Sequence, residues 1–125
     1  MKILGILLTP IFGLVFYFLL GVFHPIQWLA LKIFGYRSHK KVVDFLNFLL
    51  MKSSYILGNR FVFENKFQLP ENQTIVFVSN HQSMFDIIVI SWFMRRYHPK
   101  FVSKIELGKG LPSISFNLKH GGSVL

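Results

Sequence analysis

The feature that most constrains this chain is a run from Ile3 to Leu31 that contains no Asp, Glu, Lys or Arg. His24 is the only acidic or basic side chain within it. As a helix, the stretch Ile3–Phe23 would be about 31 Å long at ~1.5 Å per residue, which matches a bilayer hydrocarbon core of roughly 30 Å. A chain of 125 residues is too short to bury such a helix in protein. The run therefore predicts a membrane anchor.

Two arrangements of this anchor are open: a single spanning helix, or a helical hairpin half-inserted in one leaflet. The His24-Pro25 pair is expected to interrupt the helix, and the apolar character resumes over Ile26–Phe34. A cleaved signal peptide is disfavoured, because the apolar core is too long and no A-x-A-like cleavage site follows. We expect an anchor at residues 1–36 and a separate, partial domain at residues 37–125.

Charge is concentrated behind the anchor. The chain has 14 Lys+Arg, 5 Asp+Glu and a formal net charge of +9, and a basic cluster follows the apolar run at Lys32, Arg37, Lys40 and Lys41. The positive-inside rule places the rest of the chain in the cytoplasm, facing the inner membrane if the source is bacterial. Nucleic acid is disfavoured as a partner because no reader motif is present. The absence of Cys excludes thiolate metal sites and a Cys nucleophile.

Beyond the anchor, the pattern changes from helical to alternating. Apolar residues three and four apart predict a helix over His39–Leu57, closed by Gly58-Asn59. Strands are predicted at Arg60–Glu64, Thr74–Ser79 and Lys100–Ser103, and a helix at Ile87–Arg96. This order predicts an α/β fold: N-terminal membrane helices followed by the first part of an α/β sheet.

The most informative polar residues follow the predicted strand Thr74–Ser79, at the edge where open α/β sheets place their sites. His81 and Asp86 are five residues apart, so on a regular helix they would point about 140° apart. Contact between them requires a turn, with Asp86 near the start of the next helix. A carboxylate against one imidazole nitrogen lets the other nitrogen take a proton from an alcohol. A helix-capping Asp86 beside a surface histidine is the competing interpretation.

Two blocks carry a resemblance to a known family. The sequence Asn80-His81-x4-Asp86 resembles the N-H-x4-D signature of the lysophospholipid acyltransferases, typified by 1-acyl-sn-glycerol-3-phosphate acyltransferase. The segment 102–107, followed by Pro112 and Gly121-Gly122, is similar to that family's K-x-E-L…P…G stretch. An N-terminal membrane anchor is also typical of the family.

The resemblance implies transfer of a fatty acyl group from acyl-CoA or acyl-carrier protein to the free hydroxyl of a lysophospholipid. It implies that His81 is the general base and Asp86 its partner, with no acyl-enzyme, no metal and no cofactor beyond the acyl donor. Asn80, Lys104 and Glu106 are the candidate substrate-binding residues. Asn80 could organise the turn through backbone hydrogen bonds. Lys104 could either meet a phosphate as a point charge or be simply solvated, and Glu106 could begin a short helix or line the pocket.

The sequence also departs from the family. Family members continue beyond the Gly-Gly pair with two arginine-containing blocks associated with the acceptor's phosphate, and neither block occurs in this sequence. We therefore expect the chain to correspond to the N-terminal half of such an enzyme, truncated and weakly active or inactive on its own. The alternative is a non-catalytic, membrane-anchored remnant or partner-binding fragment. The residues leave the acyl-chain length, the donor and the acceptor head group open.

Overall fold

The computed structural model of the chain describes residues 2–70, 72–80 and 82–125. Over these residues the fold is helical, with four α-helices joined by short 3₁₀ and π turns and by extended segments. The α-helices are α1 (Lys2–Leu29), α2 (Tyr36–Ser53), α3 (Met84–Phe93) and α4 (Pro112–His120). A π turn covers Ala30–Phe34, and 3₁₀ turns cover Ser54–Leu57, Arg95–Tyr97 and Ile105–Gly108.

Helix α1 is the one described helix that is long and apolar enough to cross a membrane. Together with the π turn it covers Ile3–Phe34, with a mean hydropathy of 2.5 and only 11% of its most apolar window buried. The helix runs through Pro10 and Pro25, so the expected interruption at Pro25 is wrong. A proline removes one backbone donor, but an apolar helix tolerates it when the freed carbonyl is satisfied locally. The apolar run is thus one continuous helix.

Helix α2 packs against α1, after a reversal at Gly35. Gly35 has φ +78°, a left-handed value that glycine adopts without strain. The ring centroids of Phe23 and Phe45 lie 6.0 Å apart across the two helices, and Leu20 and Leu50 are each only 1% exposed. The predicted helix in this region is confirmed. The boundary between anchor and domain at residues 36 and 37 stays a prediction.

The predicted end of this helical region is confirmed as well. Helix α2 ends at Ser53, the Ser54–Leu57 turn follows, and Gly58 has a left-handed φ of +81°. Its backbone N–H donates to the Tyr55 carbonyl over 2.9 Å. A glycine in this conformation closes a helix end by satisfying one of the last carbonyls.

The predicted α/β sheet is wrong. Across the described ranges no strand forms at Arg60–Glu64, Thr74–Ser79 or Lys100–Ser103. The nearest approach to a sheet is one parallel bridge between Val102 and Val124. There the Ser103 N–H donates to the Val124 carbonyl over 2.8 Å, and the Val124 N–H donates to the Phe101 carbonyl over 2.9 Å.

The physical reason is that alternation predicts an extended backbone but does not supply a pairing partner. Val62 is 82% exposed, Val76 82% and Val78 92%, so the side chains that a sheet would bury lie in solvent. The core instead lies between helices, chiefly α1 and α2, and includes Ile88 of α3. Two isolated extended segments gain no ladder hydrogen bonds from one another until they pair.

Helix α4 is not predicted from the sequence, because Gly and Ser are frequent after Ser103. Pro112 occupies its first turn, where the missing proline N–H costs nothing and the fixed φ suits a helix. The Ser113 hydroxyl donates to the Leu20 carbonyl over 2.6 Å, which ties α4 to α1. Leu118 is 5% exposed, so α4 contributes to the packed interior.

Candidate active site

The polar motif lies at the start of α3, where the chain makes a capping box. Ser83 has an extended backbone, and its hydroxyl oxygen accepts from the Phe85 N–H over 3.2 Å. Asp86 reaches back, and its Oδ2 accepts from the Gln82 N–H over 2.8 Å and from the Ser83 N–H over 2.9 Å. Two side chains thus satisfy N–H groups that the first helical turn leaves without partners.

The prediction that Asp86 lies near the start of the following helix is confirmed, but its capping role differs from the one expected. The N-cap is Ser83, and Asp86 is the third residue of the first turn. The helix begins at Met84, three residues earlier than the predicted Ile87. The signal was readable: a Ser followed three residues later by an acidic residue, ahead of an apolar run, is a capping-box pattern.

His81, the predicted general base, lies outside the described residues, so its contact with Asp86 stays a prediction. What the described residues establish is the environment of the carboxylate. Asp86 is half-buried, and its Oδ2 takes two backbone N–H donors at the positive end of α3. The two N–H donors and the N-terminal end of the helix dipole both stabilise negative charge on this carboxylate. A fixed carboxylate is what orientation of an imidazole requires.

The three predicted substrate-binding residues are exposed. Asn80 precedes the motif in extended chain, Lys104 precedes the turn Ile105–Gly108, and Glu106 lies within that turn. The expectation that Glu106 belongs to a short helix is confirmed. Neither Lys104 nor Glu106 makes a side-chain hydrogen bond or ion pair with any residue that the structure describes. Their roles in substrate binding therefore stay predictions.

An apolar cavity of about 80 Å³ lies beside the first two turns of α3. Met84, Phe85 and Ile88 line it from α3, and Leu107 lines it from the segment that follows Lys104. The two blocks that carry the family resemblance therefore border one cavity. Its volume suits part of an apolar group rather than a whole fatty acyl chain.

Gln27 lines the same cavity and was missed by sequence reasoning. It is 0% exposed, and neither its Nε2 nor its Oε1 has a hydrogen-bond partner within residues 2–70, 72–80 and 82–125. A buried amide without a partner costs stability, so its place in the apolar wall is notable. The signal in the sequence was its position as the one Gln inside the apolar run Ile26–Phe34.

Comparison with known proteins identifies the family. A family model described as Acyltransferase matches residues 60–125, which is just over half of the chain and includes the capping box, Lys104 and Glu106. No curated protein matches the chain, and no solved structure does. The match begins after α2 and covers the extended segments, α3 and α4. On this match, the chain belongs to the acyltransferase family.

Proposed function

We propose that the chain transfers a fatty acyl group from acyl-CoA or acyl-carrier protein to the free hydroxyl of a lysophospholipid such as 1-acyl-sn-glycerol-3-phosphate. Membership of the acyltransferase family supports acyl transfer in general. The finer assignment rests on the N-H-x4-D pattern at Asn80, His81 and Asp86, which lies inside the matched range. The observation that carries the proposal is the fixing of the Asp86 carboxylate by two backbone N–H groups.

In the proposed reaction, His81 removes the proton from the acceptor hydroxyl. The resulting oxygen nucleophile attacks the thioester carbonyl carbon of the donor and forms a tetrahedral intermediate. When this collapses, the carbon–sulfur bond breaks, the proton held by His81 passes to the departing thiolate, and the products are an ester and a free thiol. Asp86 stabilises the imidazolium that forms in between. No acyl-enzyme is required, and the chain contains no Cys.

The membrane supplies the acceptor in this proposal. Exposed apolar side chains cover much of α1, including Leu14 (74% exposed) and Phe18 (68% exposed), and hydrocarbon is the environment that suits them. The basic cluster at Lys32, Arg37, Lys40 and Lys41 then lies at anionic headgroups, with the site on the cytoplasmic side. Lys104 is the residue proposed to meet the phosphate of the acceptor.

The decisive experiment measures acyl transfer by the full chain in phospholipid vesicles, with acyl-CoA and acyl-carrier protein as alternative donors and lysophosphatidate as acceptor. His81→Ala is expected to reduce the rate about a hundredfold or more, the range that general base catalysis contributes. Gln82→Ala is the matched control. It changes the exposed neighbouring side chain but keeps the backbone N–H that donates a hydrogen bond to Asp86. It is expected to leave the rate unchanged.

Equal, measurable rates for His81→Ala and the unaltered chain would remove His81 from the mechanism. A chain without any transfer activity, for either donor, would favour the competing proposal of a non-catalytic, membrane-anchored protein that keeps the fold for partner binding. Activity on a different lysolipid with the same loss in His81→Ala would keep the chemistry and change only the acceptor.

A further inference from the structure

A second cavity, of about 50 Å³, lies where α2, α3, the segment after Arg95–Tyr97 and the C-terminal part of the chain meet. Tyr36, His39 and Lys40 line it from the first two turns of α2, His98 and Lys100 line it from the segment after Arg95–Tyr97, and Gly121 and Ser123 line it from the chain after α4. Asn80, Asp86, Lys104 and Glu106 do not line it. It adjoins the apolar cavity beside α3, with which it shares Val43, Asn47, Ser91, Phe101 and Asn117. The charged lining at Lys40, His98 and Lys100 belongs to this cavity and not to the apolar one.

Lys100 places an uncompensated positive charge at this cavity. Its Nζ donates to the Tyr36 hydroxyl and to the Gly121 carbonyl, both of which are neutral, and lies 5.0 Å from the centroid of the Tyr36 ring. It forms no ion pair with any carboxylate of the described chain. An ammonium held by neutral oxygens alone keeps its full charge available to an anion.

His39 adds a buried ring nitrogen, Nε2, that lacks a hydrogen-bond partner among the described residues. The residue is 1% exposed, and its Nε2 has no hydrogen-bond partner in the part of the chain that the structure describes. The ring is held by packing, with the Phe116 centroid 5.6 Å away in an edge-on arrangement. A buried ring nitrogen without a partner costs stability, and a ligand oxygen in the cavity would satisfy it.

The remaining charges leave the cavity positive. Lys40 and Asp44 pair over 2.5 Å and largely cancel. The pKa of His39 is lowered by burial and by the positive charges of His120 and Lys100. The pKa of His98 is lowered by burial and by Lys40 and Lys100, with Asp44 acting in the opposite direction. Lys100 and the protonated forms of His39 and His98 therefore repel one another, and an anion among them would relieve that repulsion.

We propose that this cavity binds a phosphate group, presented either by a lipid headgroup or by a soluble phosphate, with Lys100, His39 and His98 as its ligands. Donors that come from separate segments suit the several oxygens of a tetrahedral anion. The cavity of about 50 Å³ exceeds the roughly 10–15 Å³ that one water needs on the same measure, so it has room for a compact anion. The proposal goes beyond acyl transfer and does not depend on it.

The position of the cavity relative to α1 makes both sources accessible. Tyr36 begins α2 directly after Gly35 and the apolar run that ends at Phe34. The cavity thus lies next to the end of the candidate membrane helix, at the level expected for lipid headgroups. His98 and Lys100 are exposed, so a soluble phosphate also has access from water.

The test uses the full chain in phosphatidylcholine nanodiscs and follows the histidine ring signals by NMR. In one arm, inorganic phosphate is added at about pH 6, where histidine protonation favours an anion. In the other, phosphatidic acid is included in the bilayer and no soluble phosphate is added. We expect the signals of His39 and His98 to shift and the pKa of each to rise when the anion binds.

Lys100→Gln keeps a polar side chain but removes its charge, and we expect phosphate binding to weaken about tenfold. Lys100→Arg should retain binding. Lys66→Gln, which removes the same charge from an exposed position outside the cavity, is the matched control and should bind normally. Because all three are compared by direct binding, the result does not depend on transfer activity.

A shift with inorganic phosphate supports a site open to soluble phosphates, and a shift only with phosphatidic acid supports a headgroup site. If neither anion moves the pKa of His39 or His98, the proposal is overturned. It is also overturned if Lys100→Gln binds as tightly as Lys66→Gln. If Lys100→Gln does not fold, the comparison of His98→Gln with Lys66→Gln decides in the same way.

Discussion

The two halves of this molecule use similar apolar residues in different ways. Before residue 60, α1 and α2 pack against each other and, with Ala30 of the π turn between them, supply eight of the ten buried hydrophobic residues in the described chain. In residues 60–125, which carry the family match, only Ile88 and Leu118 belong to that set. A helix forms its own backbone hydrogen bonds and needs only one apolar face covered by a neighbour. An extended segment needs a neighbour both for its backbone hydrogen bonds and to cover its apolar side chains.

The difference teaches where rigidity and chemistry reside. The helical pair forms the scaffold, and the capping box with the candidate site residue Asp86 lies at the start of α3, whose Ile88 is anchored in the core formed by that pair. A short helix with one buried anchor and a capping box at its exposed end can hold a carboxylate in place. The surrounding extended chain contributes little packing to that task.

The largest expected effect tests whether the start of α3 is chemical or only structural. Asp86→Asn keeps an oxygen that can accept from the backbone N–H groups of Gln82 and Ser83, but removes the charge that would support an imidazolium. We expect acyl transfer to fall about a hundredfold, with a small change in the thermal midpoint. Rates are measured as in the His81→Ala experiment.

Ser83→Ala should lower the stability and keep the rate, whereas Asp86→Asn should lower the rate and keep the stability. Ser83→Ala removes the hydroxyl oxygen that accepts from the Phe85 N–H and should cost about 1 kcal/mol of stability, while the rate per folded molecule stays near that of the unaltered chain. If Asp86→Asn proves as active as Ser83→Ala, then Asp86 is a capping residue alone, and the contrast between scaffold and site disappears.

Sequence reasoning predicted the helices of the first half because they depend on local signals. The charge-free run indicated α1, and apolar residues three and four apart together with Gly58 indicated α2 and its end. The break at Pro25 was wrong, since proline preferences measured in water-exposed helices do not carry over to an apolar one. The sheet was wrong because pairing needs two segments, whereas the near-continuous apolar run at Thr74–Ser79 describes only one of them.

The candidate site, too, could be predicted only where it depends on neighbouring residues in the sequence. The placement of Asp86 near a helix start follows from contiguous residues, so it was accessible from the sequence. The cavity around His39 and Lys100 was not predictable from the sequence, because these two residues are 61 positions apart and only packing brings them together. The orphaned amide of Gln27 likewise depends on which face of α1 meets α4, which the uniformly apolar run does not specify.

A second test measures the contrast in packing directly. Leu50 is 1% exposed between α1 and α2. Leu50→Ala is expected to lower the free energy of unfolding by about 2–5 kcal/mol. Val78, 92% exposed in the extended segment, is expected to change it by no more than about 0.5 kcal/mol when changed to Ala. Denaturant titrations in mild detergent, followed by circular dichroism, would compare the two. A costly Val78→Ala would reveal that the extended segment is packed in solution.

The smallest expected effect concerns the place where the halves meet. The pKa of His39, in the first half, and that of His98, in the second, both lie below the ordinary value of 6.5. Below that value the unfolded chain binds more protons than the folded one, so the unfolding free energy should fall as the pH is lowered through about 6.5 toward the depressed values. Above that range the contribution is complete and pH-independent.

Thermal midpoints measured against pH in phosphate-free buffer should show this decline, and His39→Gln should flatten it because the more deeply buried of the two groups no longer titrates. Phosphate must be left out, since an anion bound beside Lys100 would raise both pKa values and mask the slope. A midpoint that rises on acidification would mean that Asp44, which raises the pKa of His98, outweighs burial, Lys40 and Lys100, which lower it. The halves would then meet at a neutralised junction rather than at a positive one.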